Sequence, residues 1–149
     1  MNHRGRLSET GGDAGRYAGH SRGHVRRALF GCASGSVHQE VVVAELEAGG
    51  GVDRHLHAFE EAFYVLDGEL ALEIAGGTET LVAGDHVFVE RGVSHALRND
   101  SDEVARWFEV SAPQPGAALE DTVFVDVDRR PDGLDVPYRK GHFDPFDLP

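Results

Sequence analysis

The chain has 149 residues, a formal net charge of -12, and 26 acidic against 14 basic side chains. That balance argues against nucleic acid or an anionic membrane as partner, because both select a basic surface, and no run of about 18 apolar residues offers a membrane span. The length suits one domain with a single core; the one cysteine, Cys32, has no internal partner, and Met1 to Thr10 lacks an apolar leader, so the chain reads as cytoplasmic.

Residues 1–24 are rich in Gly, Arg, Ser and His, with almost no apolar periodicity. They read as a flexible segment whose histidines, His3, His20 and His24, face solvent. Cys32 sits among small residues and reads as filler near a turn. Strands follow from residue 25 to residue 112. Val37 to Leu46 is β-branched, Ala62 to Leu66 is an apolar run, and Leu70, Leu72 and Ile74 alternate on one face. Gly76-Gly77 turns into Thr78 to Val82, and Ala83 to Asp85 turns into His86 to Val89. Ser94 to Arg98 and Val104 to Val110 complete the set, with Asp100, Asp102 and Glu103 as a solvated turn. Short strands at close intervals predict an all-β sandwich or barrel.

From Pro113 onward lie all six prolines of the chain, which preclude a long regular element there. Val123 to Val125 still reads as a strand, and Tyr138, Phe143 and Phe146 as apolar anchors. This Pro-rich extension, 113–149, is expected to clamp the outside of the barrel or a second subunit, which makes a homodimer the expected assembly. Arg129, Arg130, Arg139 and Lys140 read as a solvated basic face.

Chemistry concentrates in two blocks. His55 and His57 stand two apart, so on a strand both aim to one face and can chelate one ion. Glu61 follows four residues later, and alternation points its neighbour Glu60 the other way. His95 comes from a distant strand and meets them only if the sheet curls or stacks. Three imidazoles and a carboxylate suit a divalent transition metal. His38, His86 and His142 read as solvent-facing.

The blocks resemble the cupin superfamily. Its first motif, G-x5-H-x-H-x3-4-E-x6-G, falls on Gly49, His55, His57, Glu61 and Gly68; its second, G-x5-P-x-G-x2-H-x3-N, falls on Gly84, Glu90, Gly92, His95 and Asn99. Glu90 stands where the family has proline, a turn-shaping position and not a ligand. The resemblance is to a small single-domain cupin. It implies a jelly-roll barrel in which His55, His57, Glu61 and His95 hold one Fe, Mn, Ni, Co, Cu or Zn ion per chain.

Phe63, Val65, Leu70, Leu72 and Leu97 are expected to point inward as an apolar wall, which favours a small, partly apolar or enolic substrate. With the four ligands intact, the resemblance points first to a dioxygenase acting on an enol, diol or aromatic compound. The alternatives are a zinc cyclase, isomerase or lyase, in which Glu61 serves as a base, and a non-enzymatic ligand-binding cupin. No helix-turn-helix is visible, against a cupin-type transcription factor.

Overall fold

A computed structural model describes residues 2–116 and 121–125. Nine strands run through it: β1 (Ser21–Phe30), β2 (Glu40–His57), β3 (Glu60–Asp67), β4 (Glu69–Ile74), β5 (Gly77–Val82), β6 (His86–Val89), β7 (His95–Arg98), β8 (Ala105–Ala112) and β9 (Thr122–Phe124). They hydrogen-bond in the order β5-β4-β7-β2-β8-β3-β6, with β1 and β9 added on β2. Every pairing is antiparallel. Two hydrogen bonds between Val65 and the Gly84-Asp85 turn draw the far edges together. The result is the expected all-β jelly roll, nearly closed. Among the described residues, no helix is long and apolar enough to cross a membrane.

β2 organises the barrel. Its first part, Glu40 to Leu46, pairs with β8, and its second, Gly51 to His55, pairs with β7. The sequence reading gives a strand over Val37 to Leu46 and places His55 and His57 on a strand of their own block. In the structure both belong to one long strand that bends at the glycines, with Gly49 at φ 69°, so one strand pairs with both β8 and β7 and carries His55 and His57 at its far end. Asn99, fully buried, holds the bend. Its amide nitrogen donates to Leu46 O (2.9 Å) and Glu103 O (2.6 Å), while backbone bonds link Gly49 and Gly50 to Asn99. Gly68, the last glycine of the first motif, has φ 72°, and a Cβ there would lie 2.5 Å from Val104 O. That position admits no side chain without backbone movement.

The inner faces follow the two-residue period of each strand. Leu46, Val65, Leu70, Leu72 and Trp107 are almost wholly buried, and the expected wall residues Phe63 and Leu97 lie in the same core. Burying a Leu or Val side chain contributes roughly 1.5–3 kcal/mol each. On β8 the buried set is Ala105, Trp107, Glu109 and Ser111, which puts a carboxylate and a hydroxyl inside. Arg26 on β1 neutralises that carboxylate: its Nε and Nη2 donate to Glu109 Oε1 at 3.1 and 2.7 Å. Trp107 Nε1 donates to Glu109 Oε2 at 3.3 Å.

The N-terminal expectation needs correction at particular residues. The boundary at residue 24 falls inside β1, and His24 is buried, not solvent-facing. Tyr17 is buried too, stacked on His24 with ring centroids 5.6 Å apart. Polar composition hid this strand, because β1 buries only its alternate residues, His24 and Arg26, and finds polar or aromatic partners for them. His3, His20, His38 and His86 are exposed, as is Cys32 in a 3-10 turn. Tyr138, Phe143, Phe146, His142, Arg129, Arg130, Arg139 and Lys140 lie outside the described residues.

Asn99→Ala leaves Leu46 O on β2 and Glu103 O in the turn before β8 without their donor and is expected to cost roughly 2–4 kcal/mol of stability in a urea titration. Burial, with Arg26 beside it, lowers the His24 pKa from 6.5 to about 4. Above pH 6.5 the ring is neutral in both folded and unfolded chains. Between 6.5 and 4 the unfolded chain takes up a proton that the folded chain refuses, so stability falls by about 3 kcal/mol as pH drops through that window. Urea titrations across the window should show this part of the loss missing in His24→Phe.

Candidate metal centre

The end of β2, the start of β3 and the start of β7 meet inside the barrel. His55 is the register partner of His95, and Gly92 N donates to His57 O at 2.7 Å, which closes the turn before β7 onto the first block. Glu90 is exposed and this turn forms without the family's proline. His55, His57 and His95 are all buried, and each offers a ring nitrogen within 4.8 Å of the other two. Glu61 is buried beside them, its Oε2 3.2 Å from His57 Nε2 and 3.4 Å from His95 Nε2. Glu60 is exposed. All four residues singled out in the sequence therefore come to one place.

Hydrogen bonds around the cluster set the tautomers. His55 Nδ1 lies 2.6 Å from Asp53 O and His95 Nδ1 3.0 Å from Val93 O. A carbonyl only accepts, so both Nδ1 atoms carry the hydrogen and both Nε2 atoms keep their lone pairs. His57 Nδ1 lies 3.0 Å from Thr122 Oγ1, and that hydroxyl donates onward to Asp121 Oδ1 at 3.3 Å. The same tautomer follows. His57 Nε2 and His95 Nε2 are buried without a hydrogen-bond partner and face a carboxylate oxygen, an acceptor. Lone pairs converging on one point in a dry interior are what a cation resolves.

The charge states follow from burial and from the groups that face one another. Burial lowers His55 from 6.5 to about 3, and His95 and His57 push the same way, so the ring is neutral. Burial raises the Glu61 carboxyl, but His57 and His95 beside it prevail and hold it well below the usual carboxylate range. Burial lowers His95 while Glu61 draws it upward, and the net direction is up. A metal therefore competes with a proton at His95, which makes occupancy weaker as pH falls. The donor set fits a divalent first-row ion such as zinc, with three imidazoles and one carboxylate around it.

Sequence reasoning missed the surroundings. Tyr17 packs on His55 at 5.6 Å between ring centroids, Phe59 stacks on His57 at 4.2 Å, and Phe124 lies 5.5 Å from His55. Thr122, on the short strand β9 that pairs with His55 to His57, has no marker in its neighbours along the chain. A groove of about 480 Å³ lies elsewhere, on the outer face across β1, β2 and β7, and none of the four site residues lines it. Its charges largely satisfy one another: Arg54 pairs with Glu73 at 2.9 Å, and Arg98 contacts Glu73 and Asp100.

A family model described as the cupin domain matches residues 42–111. The chain is 31% identical over 104 residues to polyketide synthase CurC of Streptomyces cyaneus, covering 67% of this chain and 68% of that protein. It is 32% identical over 108 residues to tetracenomycin polyketide synthase protein TcmJ of Streptomyces glaucescens, covering 69% and 72%. Among solved structures, polyketide cyclase RemF from Streptomyces resistomycificus shares the fold with a TM-score of 0.73 at 24% identity, over 86% of this chain and 89% of that one. A predicted oxalate decarboxylase from Thermotoga maritima gives a TM-score of 0.65 at 23% identity, over 72% and 96%. The matched motifs, the nearly closed jelly roll and these relatives agree: the chain belongs to the cupin superfamily, as a small single-domain member.

Proposed function

We propose that this protein is a metal-dependent cyclase acting on an aromatic-forming polyketide. The observation that carries the reading is the convergence of three buried imidazoles, each with its Nδ1 tied outward by a hydrogen bond, beside the Glu61 carboxylate. The relatives above 30% identity are both named for polyketide synthases, which favours cyclisation. The dioxygenase expectation finds no support in those names, and the cyclase alternative replaces it.

In this reading His55, His57, His95 and Glu61 hold one divalent ion, which supplies Lewis acidity to a substrate carbonyl. The chain does the rest. Val93 O, Asp53 O and Thr122 Oγ1 keep the three rings oriented. Phe59, Phe63, Tyr17 and Trp107 give the interior an apolar lining that excludes water and suits a flat, unsaturated chain. Ring closure breaks a C–H bond next to one carbonyl and joins that carbon to a second carbonyl carbon, whose oxygen takes up a proton; the hydroxyl formed then leaves with a neighbouring hydrogen as water, which makes the new ring unsaturated. No oxidant is required.

The test is metal analysis combined with a cyclisation assay. Wild-type protein should carry about one divalent ion per chain and convert a linear or partly cyclised poly-β-ketone to a product lighter by one water. His55→Ala and His95→Ala should lose both properties, since each removes a direct ligand. Cyclisation by metal-free protein, or metal at wild-type stoichiometry in both variants, sinks the proposal. Thr122→Val removes only the acceptor that orients His57 and should weaken metal affinity by about 10–100-fold in a chelator competition while leaving the fold intact.

A further inference from the structure

Buried polar atoms without partners are rare and call for an explanation. Among the described residues, such atoms outside the metal cluster occur on Arg16, His24 and Ser111. Arg16 still donates through Nη1 to Gly116 O, so the two that stand out are His24 Nε2 and Ser111 Oγ. Both side chains are more than nine-tenths buried, at 4% and 1% exposure, and both stand on inner faces, of β1 and β8.

Their positions differ in a useful way. Ser111 is the direct register partner of Glu61 across β8 and β3, which puts its hydroxyl next to the metal centre. His24 is set back from the centre. Its ring stacks on Tyr17 at 5.6 Å, and Tyr17 in turn contacts His55 at 5.6 Å. The material between is aromatic: Trp107 lies 6.0 Å from His24 and 6.3 Å from Phe63, and Phe63 lies 6.4 Å from His95. The Arg26 and Glu109 pair in the same interior already uses its charge internally. The interior is therefore an aromatic wall with one unpartnered polar atom at the metal end and another further in.

We propose that Ser111 Oγ and His24 Nε2 are the two polar anchors of a flat aromatic ligand that carries oxygen at both ends. Ser111 binds the oxygens presented to the metal, and His24 binds a keto or hydroxyl oxygen on a remote ring. The aromatic wall contacts the rings between. This rests on the proposed function, which places the reacting end of the ligand at the metal centre, and it narrows the substrate to a partly cyclised, fused-ring compound oxygenated on more than one ring.

The experiment uses the full-length chain loaded with zinc and two probes. One is a naphthalene diol with adjacent hydroxyls; the other is the triol that adds one hydroxyl on the opposite ring. Calorimetry should find the triol bound about 10-fold tighter by the wild type. His24→Phe, which keeps the stacking, should erase that advantage and leave the diol unchanged, and His24→Gln should restore part of it. Ser111→Ala should weaken both probes by a similar factor of about 10. Zinc content, measured on the same samples, should equal wild type in all three variants. A triol advantage that persists in His24→Phe, or unchanged binding of both probes by Ser111→Ala, overturns the proposal. So does failure of zinc-loaded wild type to bind either probe, which leaves the metal centre standing; a wild type that takes up no zinc overturns the proposed function itself.

Discussion

The candidate metal centre depends on β2 running from its pairing with β8 to its pairing with β7 without breaking. A strand that ended at Leu46 would leave His55 and His57 in a loop, free to turn away from Glu61 and His95. The bend at Gly49 to Gly51 keeps the strand continuous, and Asn99 secures it from the end of β7, the strand that begins with His95. The same residue thus ties together the strands that bring both ligand blocks. Its place at the end of the second motif has a mechanical reason, as does Gly68, where backbone fills the space a side chain would need.

The interior that results is unusually charged for so small a barrel. Glu61 and Glu109 are both buried carboxylates, and each raises the cost of ionising the other. Arg26 answers Glu109 directly, with Glu40 on the same guanidinium. Glu61 has His57 and His95 beside it. A divalent ion held there would supply a counter-charge and would relieve the repulsion on Tyr17, whose hydroxyl burial and both carboxylates push upward. Each of the two anions would then be matched to its own cation in an aromatic surround.

How much of this was legible beforehand follows from period and chemistry. His55 and His57 were readable because a two-residue spacing puts both rings on one face, and the jelly roll was readable from short, closely spaced strands. Alternation put Glu60 and Glu61 on opposite faces, the spacing to Gly68 in the cupin motif selected Glu61, and burial separates the two as expected. β1 was not legible, since a Gly- and Arg-rich stretch carries no apolar rhythm even though its alternate residues turn inward. The continuity of β2 was not legible, since the sequence offers Val37 to Leu46 and the His55-His57 pair as separate stretches and nothing local joins them through Gly49-Gly50-Gly51. Thr122 was invisible: its contact with His57 spans 65 positions, and a lone threonine says nothing about what it will meet.

That distant contact has a further meaning. β9 is only three residues long, and among the described residues it pairs with the segment of β2 that holds His55 and His57. A strand this short has little independent stability, so its docking and the orientation of the His57 ring draw on one shared free energy. By thermodynamic linkage, whatever favours the bound ion favours the docked strand by the same factor, and the reverse holds equally. β9 would in this sense be a reporter of occupancy: an ion held by the cluster would be sensed at this short strand, through the single hydroxyl of Thr122.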